Sequence, residues 1–327
     1  MTIATFAGIL GDTHEIGTEA FAQAVIQGLS QRQKIIPARY FYDKIGSELF
    51  EDITRVPEYY PTRTEIALLA AHADDIARLT GTGKTVVEFG SGSSTKTPLL
   101  LSAVSPDSYV PIDISGHFLE LSMQAFAQEY PHIAVHPIAA DFTHPVRLPA
   151  GTCGPLIGFF PGSTIGNFAP AAAVDLLRSF RDTLGAGAKL VIGIDILKNV
   201  RLLEAAYDDA AGVTAQFNLN VLARINRELG GTIPLDSFAH RAVWHDGLGR
   251  IEMHLEALKD LDFRAAGQSF RMRRHETIHT ENSYKYPPEA IRLLARAAGW
   301  EPLAAWFDPD RLFSIHVWTA DEDRMEP

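Results

Sequence analysis

The chain has 327 residues, 46% hydrophobic and 21% charged, an ordinary globular balance with enough material for a buried core and for two domains of the usual size. Its 29 basic residues stand against 40 acidic ones, a net charge of −11, which excludes the basic footprint that a nucleic-acid partner or an anionic membrane surface demands. Cys153 is the only cysteine, Met1 to Leu10 lacks the basic start of a secretory signal, and no apolar run approaches the ~18 residues of a membrane span, so a cytoplasmic protein without disulfides is expected.

Apolar residues at helical spacing from Ala20 to Leu29 predict a first helix, and Ser47 to Ile53 predict a second. Thr64 starts a longer one, with Glu65 in its first turn, Ile66, Leu68, Leu69, Ile76 and Leu79 on its core face, and Gly81-Thr-Gly83 at its end. From Thr85 short apolar runs alternate with helices, the pattern of a parallel α/β sheet. The strands read as Thr85 to Phe89, Tyr109 to Asp113, Ile133 to His136, Leu156 to Phe160 and Leu190 to Asp195. The helices read as Thr97 to Val104, His117 to about Gln128, and about Pro170 to Leu184, with Pro170 suited to a first turn. After Asp195 the rhythm breaks. Helical stretches at Val200 to Asp208 and Thr214 to Leu229 lead into period-two segments at Arg241 to His245, Arg250 to Leu258 and Ser269 to Tyr286. The last alternates only imperfectly through Phe270, Met272, Ile278 and Tyr284. Pro287-Pro288 opens a helix to Ala298, and Pro302 to Phe307 and Leu312 to Trp318 close the chain as two strands. Residues 1–60 and 198–286 therefore read as a substrate-binding cap, and residues 61–197 and 287–327 as the α/β domain that carries it.

Val86-Val-Glu88-Phe-Gly90-Ser-Gly92-Ser-Ser94 places small residues where a strand passes into a helix, so a ligand can approach the backbone and meet free N–H groups. A dinucleotide fingerprint wants glycine at position 95, where this chain has Thr95. Glu88, two residues before Gly90, instead matches the S-adenosylmethionine (SAM) pattern of class I methyltransferases. Asp113 ends the second strand 23 residues after Gly90, where a carboxylate can accept from both ribose hydroxyls. Asp141-Phe142 follows the third strand, where methyltransferases hold the adenine amino group and stack on its ring. Each feature alone also fits a cap or a turn; together, at successive strand ends, they favour a cofactor site. The closing strand pair around Phe307-Asp-Pro-Asp-Arg311 also fits a methyltransferase sheet better than a dehydrogenase sheet, which continues in parallel.

Further motifs make the resemblance specific. Phe41-Tyr42-Asp43 through Gly46-Ser47, Pro57-Glu58-Tyr59-Tyr60-Pro61-Thr62-Arg63, Gly162-Ser-Thr-Ile-Gly-Asn167, Tyr207-Asp-Asp209, Gly212-Val-Thr-Ala-Gln-Phe-Asn218 and Glu281-Asn-Ser283 run through nearly the whole chain. In kind and order they resemble the histidine-specific N-alpha-methyltransferases of ergothioneine biosynthesis. The resemblance implies a class I methyltransferase (Rossmann-like) α/β fold with an inserted α+β substrate-binding domain. It implies SAM-dependent trimethylation of the α-amino group of L-histidine to hercynine by a monomer, with S-adenosylhomocysteine as the second product and no metal. Gly90, Lys96, Asp113, Asp141 and Phe142 stand at the family's cofactor positions. Gly162 and Asn167 stand where the α-amino and carboxylate end is held, and Tyr207 at a carboxylate-binding tyrosine. Tyr59, Glu281 and Ser283 match the imidazole-recognising set, Met253 the side-chain pocket, and Tyr42 a tyrosine close to the methylated nitrogen. Tyr42 and Asn167 are the expected catalytic residues. Asn282, between the two imidazole residues, departs from the apolar residue of some relatives.

These residue types suit the chemistry. Transfer from a sulfonium needs alignment more than acid–base power, and the implied set holds no histidine or lysine base. Glu281 and Ser283 share a face if their segment is a strand, and a carboxylate with a hydroxyl can accept from one imidazole nitrogen and donate to the other. The His275-Glu-Thr-Ile-His279 run spells a zinc-protease signature, but its β-branched setting lacks a helical face, which argues against that reading. Two alternatives remain at this stage: methylation of another aromatic amino acid such as tryptophan, and a non-catalytic SAM-binding protein. Against the first, an indole would leave the Glu281 carboxylate poorly satisfied. DNA or protein methylation is disfavoured by the charge and by Phe159-Phe160-Pro161-Gly162, which lacks the loop used for planar amines.

Overall fold

A computed structural model describes residues 17–92, 95–114, 116–152 and 154–320. The readings at Met1 to Leu10, Ser93-Ser94 and Cys153 lie outside the described residues. The strands in chain order are β1 (Lys34–Ile35), β2 (Thr85–Phe89), β3 (Ser108–Asp113), β4 (Ala134–Val135), β5 (Ile138–Ala139), β6 (Ile157–Phe160) and β7 (Lys189–Asp195). They continue as β8 (Phe238–His245), β9 (Arg250–Ala257), β10 (Leu261–Ala265), β11 (Gln268–Met272), β12 (Thr277–Tyr284), β13 (Trp300–Phe307) and β14 (Phe313–Ala320).

The main sheet runs β13-β14-β7-β6-β2-β3-β4, with β5 also paired to β3. Its β7-β6-β2-β3 centre is parallel, whereas β14 inserts antiparallel between β7 and β13. This is the strand arrangement the class I methyltransferase resemblance implies. Strands β2 and β6 are buried at every residue, because helices cover both faces of a parallel sheet. Val87, Phe89, Ile192 and Ile194 pack on one face, and Val86, Phe159, Val191 and Ile315 on the other. Between β2 and β6 the order of connection reverses, and open α/β sheets take their ligands at the carboxyl ends on either side of such a point.

A second sheet, β1-β12-β9-β8, alternates along β9 between buried and half-buried residues, as a sheet with one covered face must. Its covered face shares a core with residues from Phe21 to Tyr60 and with the helices Val200–Tyr207 and Val213–Leu229. Among the described residues no helix is long and apolar enough to cross a membrane.

Three expectations need correction. The helix expected from Thr64 is two, Tyr60–Ala71 and Ala73–Thr80, interrupted at His72; Pro61 suits the first turn and draws the start back to Tyr60. The third parallel strand is split into β4 and β5 by Pro137, which has no N–H for the ladder. The segment from Ser269 to Tyr286 is not one strand. It divides into β11, which pairs with the unforeseen β10, and β12, with a turn between them at which His275 takes φ +70°. A register shift between His279 and Glu281 then breaks the alternation within β12.

Candidate active site

The crevice begins where β2 ends. Gly90 turns the chain at φ +76°, and a Cβ there would lie 3.3 Å from the Phe142 ring. The Gly92 N–H donates to Asp113 Oδ2 at 3.0 Å, so the end of β3 steadies the turn after β2. Asp141 Oδ1 accepts from the Thr143 N–H and hydroxyl at 3.0 and 2.6 Å, and its other oxygen lies 3.9 Å from Arg39. Phe142 stands edge-on to Phe160, with ring centroids 5.8 Å apart. Glu88 does not face this crevice as a free group. It is buried, and its Oε2 accepts from Thr97 Oγ1 at 2.7 Å and Tyr109 Oη at 2.5 Å. Burial pushes its carboxyl up to about 8 against those two hydrogen bonds.

Past the end of β6, Gly162 takes φ +81° and donates its N–H to both oxygens of Glu65, at 3.1 and 2.9 Å. Glu65 is fully buried and also pairs with Lys96, whose ammonium lies 2.6 Å away. One carboxylate thus holds two of the expected site residues together. Sequence reading took Glu65 for an ordinary first-turn acid. The missed signal was Gly193 inside β7: a Cβ there would lie 1.9 Å from Glu65 Oε1, and a strand-interior glycine marks such a close approach.

The adjoining pocket lies under the second sheet. Tyr59, Tyr207, Met253 and Glu281 line it with Phe50, Ile53, Ala206, Thr214 and Phe217. Several motif residues build its frame. Asp43 caps the helix Lys44–Ile53 through the Gly46 N–H at 2.7 Å and so fixes the turn carrying Tyr42. Gly46 has no room for a side chain, since a Cβ would fall 1.8 Å from the Phe41 carbonyl. Asp209 accepts from the N–H groups of Val213 and Thr214, fixing the chain just after Tyr207. Asn218 accepts from Thr280 and donates to the His254 carbonyl, joining its helix to β12 and β9.

Charge in the pocket is tightly managed. Burial pushes the Glu281 carboxyl up to about 7, and Lys285 opposes that shift. Burial also drives the Tyr42, Tyr59 and Tyr207 phenols well above the ordinary tyrosine value. Tyr42 packs edge-on against Phe50 and Phe217 of the pocket wall, and its phenol feels the charges of Glu281 and, more weakly, Asp113. Ser283 does not line the cavity as Glu281 does: its Oγ bonds Tyr207 Oη at 2.6 Å and receives Lys285 Nζ at 2.7 Å. Asn167 ends the 3-10 turn Thr164–Asn167, which abuts β12; a Cβ on Gly166 would lie 2.8 Å from the Tyr284 carbonyl.

Beneath these residues lies a network that sequence reading missed. Asp195, at the end of β7, is fully buried and accepts from Tyr60 Oη, Lys198 and Lys285. Burial pushes its carboxyl up, but the two ammonium groups outweigh that and hold it below the usual range. Lys198 is itself lowered to about 8 by burial. The zinc-protease run is dispersed, since His275 bonds Glu256 whereas His279 stacks on His254 at 4.8 Å.

The sequence profile of the histidine-specific, SAM-dependent methyltransferases matches residues 21–320. The chain belongs to this family. The histidine N-alpha-methyltransferase of Mycolicibacterium smegmatis is 40% identical over 306 residues, covering 91% of this chain and 94% of its own length. That of Mycobacterium tuberculosis is 38% identical, covering 93% and 96%. Among solved structures, the CcbJ methyltransferase from Streptomyces caelestis aligns over 86% of this chain and 98% of its own with a TM-score of 0.48 and 16% identity. As a family member the chain uses SAM. The crevice fits that cofactor: Gly90 leaves open the space a Cβ would take from Phe142, with Asp113 beside it.

Proposed function

We propose that the protein trimethylates the α-amino group of L-histidine to hercynine, the first step of ergothioneine biosynthesis. The observation that carries this reading is the half-buried Glu281 carboxylate on the wall of an aromatic pocket, with Tyr42 packed edge-on against Phe50 and Phe217 of that wall. Support comes from the family and from the two N-alpha-methyltransferases that match nearly end to end.

Gly90, Lys96, Asp113, Asp141 and Phe142 hold the cofactor, which supplies an electrophilic methyl group. Asn167 and the Gly162 turn orient the α-amino and carboxylate end, with Tyr207 on the carboxylate. Tyr59, Glu281 and Ser283 recognise the imidazole, and Met253 closes the side-chain pocket. Tyr42 stands beside the nitrogen and, with Asn167, aligns its lone pair. Alignment is the main catalytic device, because an in-line displacement gains most from a fixed near-attack geometry. The amine must arrive neutral, and it gives up its proton to water. Aromatic faces around the pocket suit the growing cation.

Residues 1–60 with 198–286 form the substrate-binding unit, and residues 61–197 with 287–327 the cofactor-binding unit. The working form is a cytoplasmic monomer that acts on histidine and its mono- and dimethylated forms, without a metal, nucleic-acid or membrane partner. Incubation with SAM and each common amino acid, followed by mass spectrometry, tests the assignment. Histidine alone should gain one to three methyl groups; comparable gain on tryptophan or tyrosine would overturn the specificity.

A further inference from the structure

Lys285 has no place in the roles assigned above, yet its side chain is fully buried beneath the pocket. Its ammonium donates to Ser283 Oγ at 2.7 Å, Tyr207 Oη at 3.0 Å and Asp195 Oδ2 at 2.7 Å. Three N–H donors meet three oxygens, so the group is satisfied and its position fixed. Asp195 also accepts from Tyr60 and Lys198, which anchors the ammonium to β7 and to the helix Tyr60–Ala71.

This geometry sets the direction of the neighbouring hydrogen bonds. An ammonium cannot accept, so it takes a lone pair from each hydroxyl oxygen and biases both toward donating outward. Tyr207 and Ser283 share one hydrogen at 2.6 Å. A ligand that parts them releases both O–H groups, while Lys285 keeps both oxygens paired. Glu281 lies on the pocket wall with Tyr207, and an ionised carboxylate only accepts. The other titratable groups acting on these residues are the phenols of Tyr42 and Tyr59 around Glu281, and Asp195 and Lys198 around Lys285. Ser283 therefore donates where Glu281, two residues away on the same strand, accepts. A neutral imidazole, with one N–H and one bare nitrogen, satisfies both. An imidazolium brings a second N–H and a positive charge against the ammonium. An indole has no nitrogen lone pair to accept.

We propose that Lys285 is a positioning residue for the substrate: seated on Asp195, it makes Tyr207 an outward donor toward the substrate's carboxylate and Ser283 an outward donor beside the Glu281 acceptor, and so selects a neutral ring that both donates and accepts. The proposal rests on the histidine reading, and its test separates the two.

Histidine binding to the complex with S-adenosylhomocysteine, measured calorimetrically from about pH 8 to about pH 5.5, isolates recognition from methyl transfer. Wild-type affinity falls on acidification as the ring takes its proton near its ordinary value of 6.5, which by itself costs up to about tenfold per unit. Glu281 protonation contributes to that fall. A triazole analogue of histidine, whose ring stays neutral, isolates this contribution and loses less affinity than histidine. In Lys285→Met and in the polar variant Lys285→Gln, histidine affinity at about pH 8 falls about tenfold or more, and the loss on acidification flattens. Affinity for S-adenosylhomocysteine stays within about twofold, which reports an intact fold. A folded Lys285 variant with wild-type histidine affinity and pH dependence overturns the proposal, as do equal acid losses for histidine and the triazole in the wild type. A wild-type protein that neither binds nor methylates histidine overturns instead the function on which it rests.

Discussion

The crevice at the ends of β2, β3 and β6 and the pocket that holds Glu281 hold their polar groups in opposite ways. In the crevice much of the shaping is done by backbone: Gly90 and Gly162 turn at positive φ, and Asp113 and Glu65 accept from backbone N–H groups. In the pocket the polar groups are side chains held by other side chains. Tyr207 and Ser283 rest on Lys285, and Lys285 rests on Asp195. A half-buried carboxylate that accepts from backbone, as Asp113 does, can be lost with water taking its place. A buried side-chain network has no such replacement, because each removal leaves its partners without water or a counter-charge.

The largest expected effect follows from that contrast. Asp195→Ala strands Lys198 and Lys285, and breaking such a buried pair costs about 3–5 kcal/mol, a large part of an ordinary domain's stability. Chemical denaturation reads the shift; an unmoved midpoint would mean that the ammonium groups find other partners. Next comes Glu281→Ala, which removes the pocket's acceptor and costs about 1–3 kcal/mol, or about fivefold to more than a hundredfold in kcat/KM for histidine. Affinity for S-adenosylhomocysteine should be spared, and a parallel collapse of both would erase the distinction between the two regions. Tryptophan turnover should rise slightly, since the change vacates volume beside Met253, which pairs with Glu281 across β9 and β12. On the other side, Asp113→Ala should weaken S-adenosylhomocysteine at least tenfold without altering the choice of amino acid, because a charged hydrogen-bond acceptor contributes about 1.5–3 kcal/mol. Calorimetric titration would expose an unchanged affinity, and Asp113 would then be only a brace for Gly92.

The same contrast explains what could be read in the chain. Apolar runs marked the parallel strands, and a ligand-facing residue at a strand end needs only the strand to be located; Gly90 and Asp113 were legible in this way. Glu281 and Ser283 were reached through family resemblance, because the shift after His279 spoils the alternation that would have placed them on a face. The network on Asp195 left no periodic trace at all. Its members come from positions 60, 195, 198 and 285, and nothing local distinguishes a buried lysine from a solvated one. Glu65 was equally silent in its own helix. Its only mark was the glycine it requires at position 193, in a strand more than a hundred residues away.

Glu88 offers the smallest expected effect and the finest test of the comparison, because it is the crevice strand's one carboxylate held as the pocket's groups are, buried on side-chain hydroxyls. Its folded value of about 8 lies above the ordinary 4.5. Below the ordinary value both folded and unfolded chains carry the proton, and the group costs nothing. As pH rises toward 8 the unfolded chain ionises while burial keeps the folded carboxyl neutral. Stability is therefore lost across that window, by at most about 1.4 kcal/mol per pH unit. Glu88→Gln keeps the shape and cannot ionise, so it escapes this loss. The variant's midpoint in denaturant should gain on the wild type by about 1 kcal/mol between pH 6 and pH 7, whatever constant cost the amide incurs against Thr97 and Tyr109. A difference independent of pH would mean that Glu88 is ionised in the folded protein, with its two hydroxyl donors outweighing burial. The carboxylate would then belong with the braced acceptors of the crevice rather than with the buried groups of the pocket.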